Sequence, residues 1–421
     1  MFKYIYTVYE SNFEPNKGNA VKTVGNASLL KDINTSIILN AIKDREPISR
    51  AELVNLTKLA LPTVLRIVNH LIYEGKVIEI GKGDTSFGRK PIMLKINHMG
   101  AYLIGVKISR RLVIILTDFN GKILDQIIEL TDIGSGPAGV VKQIKNVVDK
   151  LIAEHAIPIE KIAGIGVATP GSRFKTGSLI SSSVFAGWEN ANFDELLKEN
   201  LPDFKTVSCN VTICGAIGEQ WFGLGKNIRN YIYVYVDYGV GGGVIIDGKV
   251  YLGRDGYAGH IGHSVVNFEG EPCYCGNKGC LEMYTSTTAI VRKIQTSLKD
   301  GVRSILREQV KDFADINFNM VMEAYKCDDR LVVETIAQAG KIMGIGIANS
   351  INMFNPDLVI MGGEVCYSCS VFTEEAIKAA KENTFALKAK DIEIAISSIE
   401  QPEVLGAAAL VMNEIYKKPE V

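Results

Sequence analysis

The sequence predicts an α/β protein in two parts: a winged helix-turn-helix over residues 26–98, then a two-lobed α/β body with mixed sheets over residues 99–421. Three observations carry this. Helical apolar periodicity governs the chain to about residue 75 and then yields to short alternating strands. After about His98, strands and helices intersperse through to the C-terminus. Finally, 421 residues are too many for a single core, so two or three domains are expected.

Composition narrows the class. A hydrophobic fraction of 47% and a charged fraction of 22% are those of an ordinary globular protein. The net charge of −1 is unevenly spread: residues 1–98 hold 14 Lys/Arg against 9 Asp/Glu, and the rest is acidic. A basic head on an acidic body points to a polyanionic partner for the head alone. No apolar run approaches 18 residues, so no transmembrane helix is expected. The start, Met1-Phe2-Lys3, lacks the apolar core of a secretory signal, and a cytoplasmic location is expected.

Residues 1–25 show no sustained period and read as a loosely ordered arm. From Ser28 the pattern is helical, with Leu30, Ile33, Ile37 and Ala41 on one face, and Pro47 ends it. Ser49 caps a second helix, with Glu52 three residues on completing a capping box. A third helix starts at about Leu61, its Val64, Ile67, Val68, Leu71 and Ile72 forming one apolar stripe. Its opposite face carries Thr63, Arg66, Asn69 and His70. Past Gly75, Val77, Ile78 and Ile80 begin a strand, Gly81-Lys82-Gly83-Asp84 form a hairpin tip, and Pro91-Ile92-Met93-Leu94 return.

In such a motif the third helix enters the major groove of double-stranded DNA. Thr63, Arg66, Asn69 and His70 are then the candidate contacts, Arg66 on guanine foremost. Arg89 and Lys90, extended between Gly88 and Pro91, are candidates for the adjacent minor groove or for a solvated linker. A three-helix module that binds protein is the alternative.

In the body, Tyr102–Ile108, Leu112–Thr117, Ile123–Glu129 and Ile162–Ala168 read as strands, with a helix over about 138–155. Strands recur at Thr206–Ser208, Tyr231–Val236, Gly243–Ile246 and Leu358–Met361. The smaller lobe is expected over about 99–206 plus the C-terminal helix, and the larger over about 207–400.

One stretch inside the larger lobe carries its own chemistry. His263, Cys273, Cys275 and Cys280 supply one imidazole and three thiolates, a complete tetrahedral set for a structural Zn²⁺ with no position left for substrate. A disulfide or idle thiols are the alternatives, but Cys273 and Cys275 are too close to bridge without strain.

The pattern G-H-x₉-C-x-C-G-x₂-G-C-L-E, from Gly262 to Glu282, resembles the signature of the ROK family, which groups sugar kinases with sugar-responsive repressors. The run from Ser49 through Val64, with Gly88-Arg89-Lys90-Pro91, resembles the DNA-binding head that the family's repressors have and its kinases lack. The resemblance implies an actin-like ATPase fold for the body. It also exposes departures in the head: Lys58 stands where the family has a turn glycine, Ala60 where it has a capping serine, and Leu61 and Leu65 where polar residues are common.

The parts of a kinase, carried over residue by residue, are largely replaced. The family's first phosphate loop, D-x-G-G-T, is matched by Lys107-Ile108-Ser109-Arg110-Arg111, without the acid or the glycines. The second glycine loop survives as Asp237-Tyr238-Gly239-Val240-Gly241-Gly242-Gly243, for which a hairpin is a sufficient account. Val211 stands where the catalytic Asp would take a proton from the sugar hydroxyl, and valine cannot act as a base. The resemblance implies a sugar-binding role for Asn210, His263 and Glu282, while His260 replaces a family glutamate and Ser183–Trp188 replaces an Asn-containing segment. The expected protein is a repressor, a homodimer or homotetramer, with a catalytically inactive body that senses a sugar or derivative. A different small molecule, no effector, or a sugar kinase are the other readings.

Overall fold

The computed structural model describes residues 27–82, 90–98, 100–173, 179–181, 188, 191–385 and 391–416. The expected arm, Arg89 and most of Ser183–Trp188 therefore lie outside the described residues. The chain forms two compact units, Met1–Ile96 with Tyr416–Val421, and Asn97–Ile415.

The first unit runs α1 (Ala27–Arg45), β1 (Ile48–Ser49), α2 (Arg50–Thr57), α3 (Leu61–Tyr73), β2 (Val77–Lys82) and β3 (Ile92–Ile96), with strand order β1-β3-β2. This is the expected helix-turn-helix followed by a β-wing. The capping box forms: Ser49 Oγ accepts from the Glu52 amide at 3.2 Å, and Glu52 Oε2 accepts from the Ser49 amide at 2.8 Å. The α3 stripe is buried as expected at Val64, Ile67, Val68 and Leu71. Two expectations need correcting. The inward face of α1 is Ile38, Leu39 and Ile42, whereas Leu30 is exposed and Ile33, Ile37 and Ala41 are only half-buried. Gly81 and Lys82 belong to β2, which continues through a bulge after Glu79, rather than to a hairpin tip, while Gly83 and Asp84 lie outside the described residues. Tyr416 also belongs to this unit: its carbonyl accepts from Asn40 Nδ2 at 2.9 Å, and Lys43 Nζ lies 5.0 Å from its ring centre.

The second unit is built on two five-stranded sheets. The first contains β4 (Tyr102–Ile108), β5 (Arg111–Asp118) and β6 (Ile123–Leu130), then, after α4 (Gly136–Glu154), β7 (Ile162–Thr169). A small ribbon, β8 (Ser172–Arg173) with β9 (Leu179–Ser181), and α5 (Phe193–Asn200) precede β10 (Thr206–Asn210). Strand order is β10-β7-β4-β5-β6, so this sheet reaches Asn210, past the boundary expected near residue 206. Strands β4 and β5 are buried along most of their length, which explains their continuous apolar runs.

The second sheet follows α6 (Val211–Phe222). It is formed by β11 (Tyr231–Val236), β12 (Val240–Ile246), β13 (Lys249–Val250), and later β14 (Leu358–Gly362) and β15 (Glu393–Ile396), in the order β13-β12-β11-β14-β15. Helices α7 (Glu282–Thr285), α8 (Thr287–Lys299), α9 (Phe318–Lys326), α10 (Arg330–Phe354), α11 (Glu364–Ser368) and α12 (Ser370–Asn383) surround it, and α13 (Pro402–Tyr416) ends the chain. Helix α10 is long and apolar enough to cross a membrane by length and composition. It is a core helix instead, with Val332, Ile336, Met343 and Ile347 wholly buried. Through most of its length α13 rests on the first sheet: a Cβ at Gly105 would lie 2.3 Å from the Val404 carbonyl oxygen, and one at Gly166 1.7 Å from that of Ala407.

Candidate ligand cleft and metal centre

A cleft of about 740 Å³, open to solvent, lies between the two sheets of the second unit. From the first sheet come Ile108 and Ser109 after β4, Pro170 and Gly171 after β7, and Asn210 at the end of β10. The carboxyl ends of neighbouring parallel strands are the usual place for a ligand in an open α/β sheet. From the second sheet come Asp237 to Gly241, and from the loops beyond it His260, His263, Tyr274 and Glu282.

The structure brings the four predicted ligand residues together here, and Asn210 and Glu282 have structural duties as well. Asn210 caps α6: its Oδ1 accepts from the Thr212 amide at 2.8 Å and the Thr212 hydroxyl at 2.7 Å, and its Nδ2 donates to the Gly171 carbonyl. Glu282 is buried, and its Oε2 accepts from the Val240 amide at 2.8 Å. Burial pushes its carboxyl up to about 7, the Val240 and Tyr274 hydrogen bonds opposing the rise. Burial holds His260 and His263 below the ordinary imidazole value, so both are neutral near pH 7; His260 then has one donor and one acceptor nitrogen, while both nitrogens of His263 already face protein groups. Tyr257 meets the His260 ring edge-on at 5.9 Å.

Val211 lines the cleft at the first turn of α6. Lys107, in place of an acid, projects from β4 to within 3.6 Å of Glu403 Oε2 at the start of α13, both side chains being nearly sealed from water. The Tyr233 hydroxyl donates to the other Glu403 oxygen, so this buried carboxylate is shared by a cation and a phenol. The surviving glycine run has a packing role. In β12, a Cβ at Gly241 would meet the Thr212 side chain at 2.7 Å, and one at Gly243 would meet Ala216 and the Thr212 carbonyl at 2.6 Å. The glycines let α6 lie against β12. Asp237 accepts from the Tyr235 hydroxyl at 2.7 Å and the Tyr238 amide at 2.8 Å.

A cluster of one histidine and three cysteines adjoins the cleft. The donor atoms of His263, Cys273, Cys275 and Cys280 all lie within 4.8 Å of one another. Cys275 and Cys280 Sγ are 3.6 Å apart, and Cys273 Sγ is 3.7 Å from His263 Nδ1. Two thiolates bonded to one tetrahedral ion at about 2.3 Å sit about 3.8 Å apart, so the set fits a metal ion and not a disulfide. The Tyr274 hydroxyl lies 3.1 Å from His263 Nε2, leaving Nδ1 facing the thiols. Sequence reasoning missed Tyr274, although its position between two ligand cysteines sends it to the opposite side of the loop, into the cleft. It also missed the Lys107–Glu403 pair, whose members are 296 positions apart in sequence.

On the head, Arg66, Asn69 and His70 are exposed on α3 and Thr63 is half-buried. His70 Nε2 lies 3.4 Å from Glu74, and Asn69 Oδ1 is 3.5 Å from Arg50, itself paired with Glu79 at 2.7 Å. Lys90 is exposed. Leu61 and Leu65 are also solvent-facing, 50% and 38% exposed, so the outer surface of α3 is part apolar.

A family model described as "ROK family" matches residues 104–414. The xylose repressor of Caldicellulosiruptor bescii is 31% identical over 403 residues, spanning 94% of this chain and 100% of its own. The xylose repressor of Bacillus subtilis is 30% identical, spanning 93% and 97%. The DNA-binding transcriptional dual regulator NagC of Escherichia coli is 29% identical, spanning 92% and 94%. Among solved structures, a ROK family transcriptional regulator, homolog of the E. coli MLC protein, superposes with a TM-score of 0.77 at 24% identity over 92% of this chain and 97% of that one. A ROK family glucokinase from Streptomyces griseus, in complex with glucose and AMPPNP, superposes at 0.65 and 23% identity over 74% and 99%. Both share the fold, and the regulator is matched over more of the chain than the kinase.

Proposed function

Because the chain belongs to the ROK family, we propose that it is a sequence-specific DNA-binding regulator, a repressor of carbohydrate-metabolism genes whose body senses a sugar without phosphorylating it. Val211 carries the second half of this reading: the cleft wall is apolar where a phosphorylating enzyme places its proton acceptor. Lys107 supports it, since its ammonium, drawn to Glu403, stands where a carboxylate would serve a metal-bound phosphate.

In the head, Arg66 and Asn69 on α3 read base edges, with Thr63, His70, Arg89 and Lys90 as further contacts. The protein acts in the cytoplasm as a homodimer or homotetramer, and paired heads fit a pseudo-palindromic operator. A sugar entering the cleft meets the amide of Asn210, the neutral imidazoles of His260 and His263, and Glu282. If it binds one arrangement of the lobes more tightly, DNA affinity must change by that same differential. Zn²⁺ held by His263, Cys273, Cys275 and Cys280 supplies a structural cross-link. His263 and Tyr274 belong to both loop and cleft, so the loop sets the cleft wall. Chelation is expected to release about one zinc per chain and abolish the response to sugar, as read by metal analysis and DNA binding.

The deciding experiment is fluorescence anisotropy on operator-containing and scrambled DNA across a salt series, with and without sugars. Specific binding that a sugar alters is the expected result. Specific binding that no sugar alters points instead to a constitutive binder, a reading favoured by the engagement of Asn210 with Thr212 and Gly171. Hexose phosphorylation from ATP would return the chain to the kinases.

A further inference from the structure

Beside the cleft lies a second hollow of about 610 Å³, open to solvent, that shares Tyr238, Tyr274 and Glu282 with it, so the two spaces are contiguous. What the second cavity adds is Arg110, from the turn between β4 and β5, and Arg292, from α8. Neither guanidinium has a carboxylate within 4.0 Å among the described residues. Both are nonetheless held in place. The Arg110 guanidinium stacks 4.6 Å from the centre of the Tyr238 ring, on the wall common to both cavities. One Arg292 nitrogen donates to the Met283 carbonyl at 2.7 Å, leaving its other donors available.

Two fixed like charges lining one cavity repel each other, and neither is ion-paired among the described residues. Glu282, the one carboxyl in the lining, already has Oε2 engaged by the Val240 amide. Thr288, in the first turn of the 13-residue helix α8, lines the same space. That turn adds the positive end of a helix to the two cations. Guanidinium groups match the planar, multidentate geometry of phosphate and carboxylate oxygens, which neutral sugars lack.

We infer that this cavity is an anion subsite continuous with the sugar cleft, and that the effector is a sugar bearing a phosphate monoester or a carboxylate. The inference rests on the sugar-sensing reading above and names its ligand class. The sugar ring occupies the cleft beside Val211 and His260, and the anionic substituent points toward Arg110 and Arg292.

Isothermal titration of the full-length protein tests it. Neutral sugars (D-xylose, D-glucose, N-acetyl-D-glucosamine) would be compared with their monophosphates and with glucuronate and gluconate, with inorganic phosphate as a separate probe. At least one anionic derivative is expected to bind tenfold or more tightly than its neutral parent, with the preference shrinking as salt rises from 0.05 to 0.5 M. Phosphates and sugar acids form separate arms, so the same titrations identify which anion is preferred. In Arg110→Gln the ratio of anionic to neutral affinity should fall to within about threefold of unity, while Arg292→Lys should keep part of it. Arg110 is exposed and its guanidinium makes no hydrogen bond among those described, its backbone carbonyl alone accepting from the Thr131 amide, so its substitution tests the subsite even if variants at Arg292 fold poorly. A neutral sugar that binds as tightly as every anionic derivative would overturn the subsite and leave sugar sensing intact. A preference that survives Arg110→Gln and Arg292→Gln would place the anion elsewhere and likewise overturn it. If no sugar of either kind binds, the subsite and the sensing reading fall together.

Discussion

Lys58 ends α2 in the left-handed region, at φ 59° and ψ 15°, a conformation that suits glycine and disfavours a side chain by about 1–2 kcal/mol. Two residues on, Ala60 begins α3 with no side-chain hydrogen bond to the free amides. Both sites were legible in the sequence as departures from a pattern; the backbone angle supplies the physical reason for the first. Lys58→Gly and Ala60→Ser should each stabilise the head by about 1 kcal/mol. Hydrogen exchange of the α2 and α3 amides in the full-length protein should slow by about fivefold for each. Glu282 was legible as a site residue, but its state was not, because burial is set by residues far along the chain. Its folded value near 7 lies above the ordinary 4.5, so its favourable contribution is complete below pH 4.5 and is lost as pH rises through 7. The neutral Glu282→Gln should therefore gain little over the parent at pH 4 and up to about 3 kcal/mol at pH 8. Melting temperatures at the two pH values check the sign.

At the scale of elements, α3 declared itself because one apolar stripe is opposed by one polar face. Helix α1 did not. Its apolar residues fall on adjacent faces, and only docking against α2 and α3 selects Ile38, Leu39 and Ile42 over Leu30 and Ile37. Strands β13 and β15 escaped notice for a related reason: they are short, of two and four residues, and mostly unburied, so no alternation marks them. The glycines of β12 looked like a phosphate loop and proved to be a seat for α6. On α3 itself, Arg66 is the exposed cation with no ion-pair partner among the described residues, unlike Arg50. Arg66→Ala is expected to weaken operator binding by about 1–3 kcal/mol while altering affinity for scrambled DNA much less. Anisotropy titrations on the two DNAs separate those effects.

For the whole molecule, a two-part organisation and a cysteine-rich loop were readable from pattern alone. The long-range ties were not, since nothing local links Lys107 to Glu403 or Asn40 to Tyr416. Those ties bear on whether activity can be restored. A single carboxylate at position 211 would still face a cleft with Lys107 at the acid position and Ser109 and Arg110 in place of glycines. Val211→Asp should thus remain without detectable hexose phosphorylation in a coupled ATP assay, as should the parent. Measurable turnover in the variant would mean that the rest of the phosphate site is intact.

The close seating of α13 on the first sheet bears on how freely this family member can diverge. At Gly105 and Gly166 the helix backbone lies where any side chain would begin, so even alanine is shut out. Cleft residues such as Val211 and His260 border open space and operate under no such rule. Evolution can therefore rewrite the cleft lining at such positions, while two glycines outside that lining stay frozen. A change in the cleft's lining is a short mutational walk; a change in how the last helix sits on the sheet has almost no accessible first step.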